Sequence, residues 1–338
     1  MSSLHNLVQA VRDSKGVAHK KDIAIGMDAL ASVQPCQSST LVGDDCAVLK
    51  SADGSYLLFA IEGFMNEFVQ EDPWFAGYCG VMVNVSDIAA MGGRPTAVVD
   101  AVWTADTVQL EKILQGMAAA SARYKVPIVG GHTNARNKHA QLAVSIIGSA
   151  NAVLSSFEAK PGDVLMSAID LRGKYQGSGN NWNASTEAPA ERLRADLELL
   201  PQVAENGLAM ACKDISMAGA LGTTLMMLEC SACGAEIWPA AFPRPQEVSV
   251  ERWMQTFPSF GFVFSVPPTC VERMKQLFGS RDLRCEPVGH VIEGSMVWVN
   301  HESERELLWD FSGTPLLGCS QLNHATDVVG EAHACGSI

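Results

Sequence analysis

The stretch Val81-Met-Val-Asn-Val-Ser-Asp-Ile-Ala-Ala-Met-Gly-Gly-Arg-Pro95 places two polar side chains in an otherwise apolar run. The run predicts a helix over residues 76–91 that ends at two glycines and a proline, which is a conventional stop signal. Asn84 and Asp87 are three residues apart and therefore share one face of that helix. A polar pair on a buried face needs a partner. Taken alone, a hydrogen bond to a neighbouring loop satisfies this need as well as a ligand does.

A second acidic motif lies upstream, in the stretch LVGDDCAVL that begins at Leu41. Asp44 and Asp45 repel each other in a partly buried setting unless a positive charge lies between them. Magnesium prefers oxygen ligands and takes one or two carboxylates together with phosphates and water. A Gly-Asp-Asp sequence is also typical of a solvated turn, so more carboxylates are needed to favour a metal site.

Two further motifs follow. In Ile128-Val-Gly-Gly-His-Thr133 a strand runs into Gly130 and Gly131, where backbone amides can approach a phosphate, although such a turn also has structural uses. Lys213-Asp-Ile-Ser216 directly precedes a predicted helix over residues 216–230. Ser216 and free amides at that helix start would hold an anion while Asp214 binds its metal. The alternative is that Ser216 is a plain N-cap.

Strand and helix signals alternate along the chain. The pattern predicts a helix over residues 104–124 capped by Thr104, a domain boundary in the Pro- and Gly-containing segment 157–163, and a mobile, lid-like loop over residues 173–189. The predicted strands are residues 56–61, 97–103, 126–129, 142–147, 235–238, 261–266, 287–292 and 296–299, with another starting at Val164.

Composition limits the class of protein. The 338 residues are 47% apolar, which suggests two domains, and the net charge of −13 argues against a nucleic-acid partner. The sequence shows neither a signal peptide nor a membrane span, so a cytoplasmic protein is expected. The ten cysteines are irregularly spaced and are typical of reduced core thiols, with a structural role expected for Cys230 and Cys233.

In this order, the segments LVGDDCAVL, MVNVSDIAAMGGRP, PIVGGHT and KDIS resemble the superfamily of aminoimidazole ribonucleotide (AIR) synthetase, thiamine-monophosphate kinase and selenophosphate synthetase. The resemblance covers roughly residues 40–300. Within the superfamily, the chain is most similar to a branch described as AIR synthase-related. It implies an α/β protein of the α+β type with mixed sheets flanked by helices in each of two domains, residues 1–158 and 159–338. It also implies a homodimer formed through the N-terminal domains.

The resemblance further implies Mg²⁺ and ATP as cofactors and a small-molecule substrate. Asp44, Asp45, Asp87 and Asp214 fall at metal-binding positions, and Glu62 stands where the family has an aspartate. Gly130, Gly131 and Ser216 are implied to lie near phosphate or nucleotide. Further candidates for binding ATP or phosphate are Gly43, Asn84, His132 and Lys20. The alternatives are a structural role for His132, as is common for a lone histidine after a strand, and an exposed basic loop at Lys20. Phosphoryl transfer depends mainly on positioning and charge neutralisation, which such a set supplies.

The chain also departs from its relatives on the substrate side. Met217 follows Ser216 where the kinase has an aspartate, and Phe260-Gly-Phe-Val-Phe264 replaces an acidic kinase motif. The loop from Gly16 to Lys20 lacks the nucleophilic cysteine of selenophosphate synthetase, since the first cysteine is Cys36. The expected function is therefore ATP- and Mg-dependent phosphoryl transfer to, or phosphate activation of, an unidentified small molecule. The alternative is a nucleotide-binding or scaffolding homologue without catalysis.

Overall fold

A computed structural model describes residues 3–30 and 42–319. Leu41 and Cys36 of the sequence analysis lie outside these residues. The described chain forms a five-stranded sheet, a seven-stranded sheet and a small sheet of three short strands, with helices packed on the two larger sheets. Both larger sheets contain parallel and antiparallel pairs, which confirms the predicted mixed α/β class.

The element bounds are as follows. The helices are α1 Ser3–Arg12, α2 Lys15–Lys21, α3 Ile23–Leu30, α4 Asn66–Glu71, α5 Pro73–Ala90, α6 Thr107–Tyr124, α7 Ala190–Leu197, α8 Leu199–Glu205, α9 Gly219–Cys230, α10 Val250–Trp253 and α11 Val271–Gly279. The strands are β1 Ala47–Lys50, β2 Tyr56–Gly63, β3 Arg94–Trp103, β4 Ile128–Asn134, β5 Gln141–Ala150, β6 Val164–Ile169, β7 Lys174–Tyr175, β8 Asn181–Asn183, β9 Ala211–Asp214, β10 Gly234–Ile237, β11 Phe257–Pro258, β12 Gly261–Val266, β13 Arg284–Ile292, β14 Met296–His301 and β15 Glu304–Asp310.

The first sheet has the order β1-β2-β5-β3-β4 and packs one face on α5, which in turn packs on α6. Asp72 caps α5 by accepting a hydrogen bond from Phe75 N–H at 3.2 Å, as its position before Pro73 favours. The two helices approach closely at Gly116, where a Cβ would lie 1.9 Å from the carbonyl oxygen of Trp74. Glycine is therefore required there, and the close packing fixes the position of α5.

The second sheet has the order β15-β14-β10-β13-β6-β12-β9 and packs on the fully buried helix α9. The first helix joins this half of the molecule. Apolar residues of α1, including Val8 and Val11, belong to the same core, and Arg12 donates hydrogen bonds to the carbonyls of Leu307 and Leu308 at 2.8 and 2.9 Å. Residues 3–30, which precede the first sheet in sequence, thus pack on the second sheet in space because α1 carries an apolar stripe at helical spacing.

Polar contacts join the two halves. Ser185 lies between the hydroxyl groups of Tyr78 and Tyr124 at 2.6 and 2.7 Å. Arg94 on β3 pairs with Glu198 and Glu205 from the second half. These contacts, which include a buried hydroxyl group, hold the walls of the cleft between the halves in one arrangement.

The predicted helix over residues 76–91 and the predicted strand over residues 261–266 are confirmed. Two predicted helix starts were wrong. The helix expected from residue 104 begins at Thr107, because the Asp106 carboxylate caps it by accepting from Gln109 N–H at 2.9 Å. The helix expected from Ser216 begins at Gly219, whose φ of +70° interrupts the helical backbone before that point.

The segment 173–189 is more structured than its polar, Gly-rich composition predicts. It contains β7 and β8, which pair with each other, and Trp182 within it is 4% exposed. The indole N–H of Trp182 donates to the carbonyl of Asp170 at 3.0 Å, and its ring packs edge-on against Trp253. This aromatic anchor attaches the segment to the second half of the molecule. Across the described residues, none of the helices is long and apolar enough to cross a membrane.

Candidate active site

Three carboxylates from separate elements converge between the two halves. Asp45 lies in the loop before β1, Asp87 on α5 and Asp214 at the end of β9. One carboxylate oxygen from each of the three lies within 4.8 Å of the other two. Among the described residues, these three acids form a group that could hold a metal ion. The sequence motifs that carry them are separated by 42 and 127 positions, and the fold brings them together.

Asp87 has the most demanding environment of the three. Its side chain is 4% exposed, and its Oδ2 has no hydrogen-bond partner among the described residues. Burial, followed by the negative charges of Asp214 and Glu62, raises the pKa of Asp87 well above its usual range. A buried carboxylate without a partner is costly, whereas three carboxylate oxygens suit a hard divalent cation such as Mg²⁺. The residues present therefore fit that cation.

The pKa of the Asp214 carboxyl group lies above the usual range for aspartate. Burial, followed by the charge of Asp45, raises the pKa of Asp214 from 3.8 to about 8. The unfolded chain releases this proton at low pH, whereas the folded chain retains it until the pH approaches 8. Between these limits the folded state binds more protons than the unfolded state, so its stability falls as pH rises.

We therefore expect the melting temperature of the protein in a metal chelator to fall between about pH 5 and about pH 8. Asp214→Asn removes one of the titrating groups and should make this slope shallower. The exposed Asp282, changed to Asn, is the matched control and should retain the wild-type slope. Differential scanning fluorimetry across this pH range measures the effect, and identical slopes for Asp214→Asn and the wild type would contradict it.

Lys213 completes the charged centre. Its ammonium group forms an ion pair with Asp45 Oδ1, and the two side chains are 6% and 7% exposed. Burial alone lowers the pKa of Lys213, but the carboxylates of Asp45 and Asp44 outweigh burial and raise it. The sequence alone did not predict a role for Lys213 at the site. The available signal was a lysine directly before a predicted metal ligand, at a position where the strand is buried on both sides.

Asp44 lies beside the three carboxylates but makes different contacts. Its Oδ2 accepts from Ser155 Oγ at 2.6 Å, and its Oδ1 accepts from the backbone N–H of Ser156 at 2.7 Å. Burial raises the pKa of Asp44, and these hydrogen bonds and Lys213 oppose the rise. Asp44 thus connects the Gly-Asp-Asp loop to the segment between the two large sheets, and this contact holds Asp45 in place.

Glu62 and Lys20 stand at the edge of the centre. Glu62 lies on β2, near Asp45, but outside the group of three. Burial raises its pKa, while the charge of Lys20 lowers it. Lys20 comes from α2, which packs against the second half through Val17. Among the lysines of the described cavity lining, Lys213 is already paired, which leaves Lys20 for a charged ligand.

A cavity of about 660 Å³ opens beside these groups. The carboxylates of Asp45, Asp87 and Asp214 line it, and so do Gly43, Asp44, Glu62, Lys20 and Ser216 from the sequence analysis. Cys79, Val83 and Asp87 recur every four residues on α5 and form one wall. Phe64, Phe68 and Phe257 add an aromatic surface. The cavity thus has a charged end and an apolar surface, as small-molecule sites commonly do.

Ser216 is not the N-cap of α9, because Ala218 occupies that position and makes no side-chain cap hydrogen bond. The backbone N–H of Ser216 donates to Thr223 Oγ1 at 3.1 Å, and its Oγ has no hydrogen-bond partner among the described residues. The hydroxyl group, rather than the backbone amide, is therefore the group at Ser216 that is available to a ligand in the cavity.

Four predicted phosphate-binding residues lie apart from the described cavity lining. Asn84 is fully buried within α5, where its Nδ2 donates to the Gly80 carbonyl at 2.8 Å. Gly130, Gly131 and His132 are exposed on β4, the edge strand that pairs with β3. The His132 ring packs against Trp103, with 5.4 Å between the ring centroids. The cavity follows β2 and α5, and β4 is at the opposite edge of the same sheet.

Two family patterns match the chain. The pattern for "AIR synthase related protein, N-terminal domain" matches residues 43–150, and the pattern for the corresponding C-terminal domain matches residues 160–300. The chain belongs to the AIR synthase-related family. This confirms the resemblance stated from the four sequence motifs.

Two relatives of this AIR synthase-related protein match over nearly their whole length. An uncharacterized protein of Synechocystis sp. is 42% identical over 322 residues, covering 93% of this chain and 98% of that protein. An uncharacterized protein of Methanocaldococcus jannaschii is 32% identical over 323 residues, covering 94% of this chain and 100% of that protein.

More distant similarity extends to proteins with named activities. A thiamine-monophosphate kinase of Synechococcus elongatus is 25% identical over 297 residues, covering 79% of this chain and 88% of that protein. Among solved structures, T. maritima PurL complexed with ATP has a TM-score of 0.67 at 19% identity, covering 81% of this chain and 46% of that chain. At that identity the structural likeness shows the shared fold of this AIR synthase-related protein.

Proposed function

We propose that this protein is an enzyme that uses ATP and Mg²⁺ to transfer a phosphoryl group to a small molecule, or to activate the molecule as a phosphorylated intermediate. The observation that carries the proposal is the convergence of Asp45, Asp87 and Asp214, with an unpartnered oxygen on Asp87, at the wall of a cavity. Membership of a family that includes a protein named thiamine-monophosphate kinase supports the reaction class.

Each part of the cavity has a role in this proposal. Asp45, Asp87 and Asp214 hold the cation, with Glu62 beside them. A bound Mg²⁺ would neutralise charge on phosphate oxygens. Lys20 and the Ser216 hydroxyl bind phosphate oxygens, since one supplies a positive charge and the other a hydrogen bond. The aromatic wall of Phe64, Phe68 and Phe257 excludes water and accommodates the nucleoside or the acceptor.

The proposal is tested by titrating a non-hydrolysable ATP analogue with and without Mg²⁺, and by measuring ATP turnover with candidate acceptors. We expect Mg²⁺-dependent binding and turnover that rises when an acceptor is added. Binding without turnover on any acceptor would favour a nucleotide-binding protein without catalysis. Absence of Mg²⁺-dependent binding would overturn the proposed site.

The outer face of the first sheet supports the proposed homodimer. Leu57, Phe59 and Ile61 alternate with inward-facing residues along β2 and are 38%, 48% and 66% exposed. Neighbouring strands extend this face with further exposed apolar side chains, namely Leu49, Val99, Val129 and Ile147. A contiguous apolar sheet face of this kind is typical of a subunit interface. Ile61 also lines the cavity, so a second copy on this face would border the active site.

We expect Phe59→Lys to convert the dimer into a monomer. Phe59 lies directly opposite Ile147 on the paired strand β5, so the change places a charge in the middle of the apolar face. Light scattering coupled to size-exclusion chromatography measures the mass. Val108→Lys is the matched control, because Val108 is a 62% exposed apolar residue on α6 rather than on the sheet. A Phe59→Lys variant that stays dimeric would show that the interface lies elsewhere.

A further inference from the structure

Lys213 is an unusual neighbour for a metal site. Its ammonium group contacts Asp45, one of the three converging carboxylates, and it directly precedes Asp214, another of them. A buried lysine beside proposed metal ligands occupies space that a cation would otherwise fill. The question is whether metal binding displaces it or accommodates it.

We propose that the ammonium group of Lys213 takes the place of a second metal ion, so that the site binds a single divalent cation. This rests on the proposed function, in that Asp45, Asp87 and Asp214 are taken to be the ligands. In a two-metal phosphoryl-transfer site the ions lie about 3.5–4 Å apart and share ligands. Here one oxygen of the Asp45 carboxylate serves Lys213, which leaves the other for one metal ion.

The positions of the two Asp45 oxygens support this arrangement. Oδ1 forms the ion pair with Lys213, and Oδ2 faces the backbone N–H of Asp214 at 3.4 Å, which is a long hydrogen bond. Oδ2 is therefore only weakly engaged by the protein. Asp45 bridges a fixed ammonium group on one side and the proposed metal position on the other.

The charges balance with one ion. The carboxylates of Asp45, Asp87 and Asp214 carry three negative charges when ionised, and Lys213 with one divalent cation carries three positive charges. Asp44 and Glu62 lie outside this group of three carboxylates, and both oxygens of Asp44 accept hydrogen bonds, from Ser155 and Ser156.

Lys213 is also unable to leave easily. Its side chain is 6% exposed, and the negative charges of both Asp45 and Asp44 act on its ammonium group. Breaking a buried ion pair leaves an uncompensated charge away from water, which is strongly unfavourable. Lys213 therefore stays with Asp45 when the cation binds.

Manganese(II), without nucleotide, is the probe that tests this inference, because electron paramagnetic resonance distinguishes isolated ions from coupled pairs. We expect the wild type to bind one Mn²⁺ per chain with the spectrum of an isolated ion. Lys213→Met removes the charge but keeps the length of the side chain, so its stoichiometry should rise from one to two with a spin-coupled spectrum. Lys213→Arg retains the charge and should bind one ion.

Lys275→Met is the matched control, because Lys275 also pairs with a carboxylate, that of Glu286 at 2.9 Å, but on the surface. It should bind one ion. A coupled pair in the wild type or in Lys213→Arg would overturn the inference, as would one ion in a folded Lys213→Met variant. If circular dichroism shows that Lys213→Met does not fold, the spectra of the wild type and Lys213→Arg decide the question.

Asp87→Asn separates this inference from the proposed function on which it rests. Loss of Mn²⁺ binding in Asp87→Asn supports the three carboxylates as the metal site. Unchanged binding in that variant, or absence of binding in the wild type, would overturn the metal site and the inference together. A coupled pair that Asp87→Asn abolishes would overturn the role of Lys213 alone.

Discussion

Asp87→Asn should raise the melting temperature of the protein in a chelator and abolish its stabilisation by Mg²⁺. In the unfolded chain Asp87 is ionised at neutral pH, whereas in the folded chain it must retain a proton or remain charged without a partner for Oδ2. Asparagine has a similar shape and carries no such penalty. The expected gain in the free energy of unfolding is about 1–3 kcal/mol at neutral pH.

The same substitution should reduce ATP turnover by about a hundredfold or more, because it removes a proposed ligand from the centre of the site. Asp100→Asn is a matched control, since Asp100 Oδ1 is also buried without a partner among the described residues, and burial raises the pKa of Asp100. Asp100 lies on β3 beside Gly131, outside the described cavity lining. Asp100→Asn should keep the Mg²⁺ response. Full Mg²⁺ stabilisation in Asp87→Asn would contradict the site.

Glu229→Ala should cause a large loss of stability. Glu229 is fully buried on α9, and its carboxylate accepts hydrogen bonds from the backbone N–H groups of Leu316, Leu317 and Gly318 at 3.0, 2.6 and 3.1 Å. Alanine leaves two buried donors and one partly buried donor without their carboxylate partner. Because hydrogen bonds to charged groups contribute more than neutral ones, we expect a loss of roughly 3–5 kcal/mol in the free energy of unfolding.

The loss should also reach the cavity. Leu317 lines the cavity, and Cys319, two residues further on, packs against Gly43 of the Gly-Asp-Asp loop. Urea unfolding gives the stability, and ATP-analogue titration gives the effect on binding. Glu236→Ala is the control, because Glu236 pairs with Arg305 in a partly exposed position and should cost less than about 1 kcal/mol. Equal losses in the two variants would contradict the role assigned to Glu229.

The sequence predicted the acidic centre because its signals were local. Asp87 stands out as a charge on an apolar helix, Asp45 as one of two adjacent acids before an apolar run, and Asp214 as an acid at the end of a buried strand. Each of these signals is contained in a sequence pattern of a few residues. The family resemblance then indicated that the separate motifs belong to one site. The mixed α/β fold was implied by the same resemblance, and the alternation of strand and helix signals along the chain agreed with it.

What the sequence did not predict depends on contacts between distant residues. Lys213 and Asp45 are 168 positions apart, and their pairing follows from the docking of β9 against the loop before β1. The glycines of β4 suit a phosphate site by composition, and the sheet order, which the motif does not encode, places that strand at an edge of the first sheet, outside the described cavity lining of one chain. The order of strands in a sheet is set by packing over the whole domain, which a short motif does not encode.

The attachment of α1 to the last strands has a consequence for biosynthesis. His5 contacts Glu306 at 2.7 Å across a separation of 301 residues. At ordinary rates of translation, roughly 15–60 s pass between the synthesis of these two residues. During that time the apolar stripe of the first helix has no final partner, so a nascent chain exposes it to chaperones or to neighbouring chains. A fusion partner at the amino terminus should therefore lower the yield of folded protein, because it lies next to the helix that must dock on β15, although α1 and β15 are far apart in sequence.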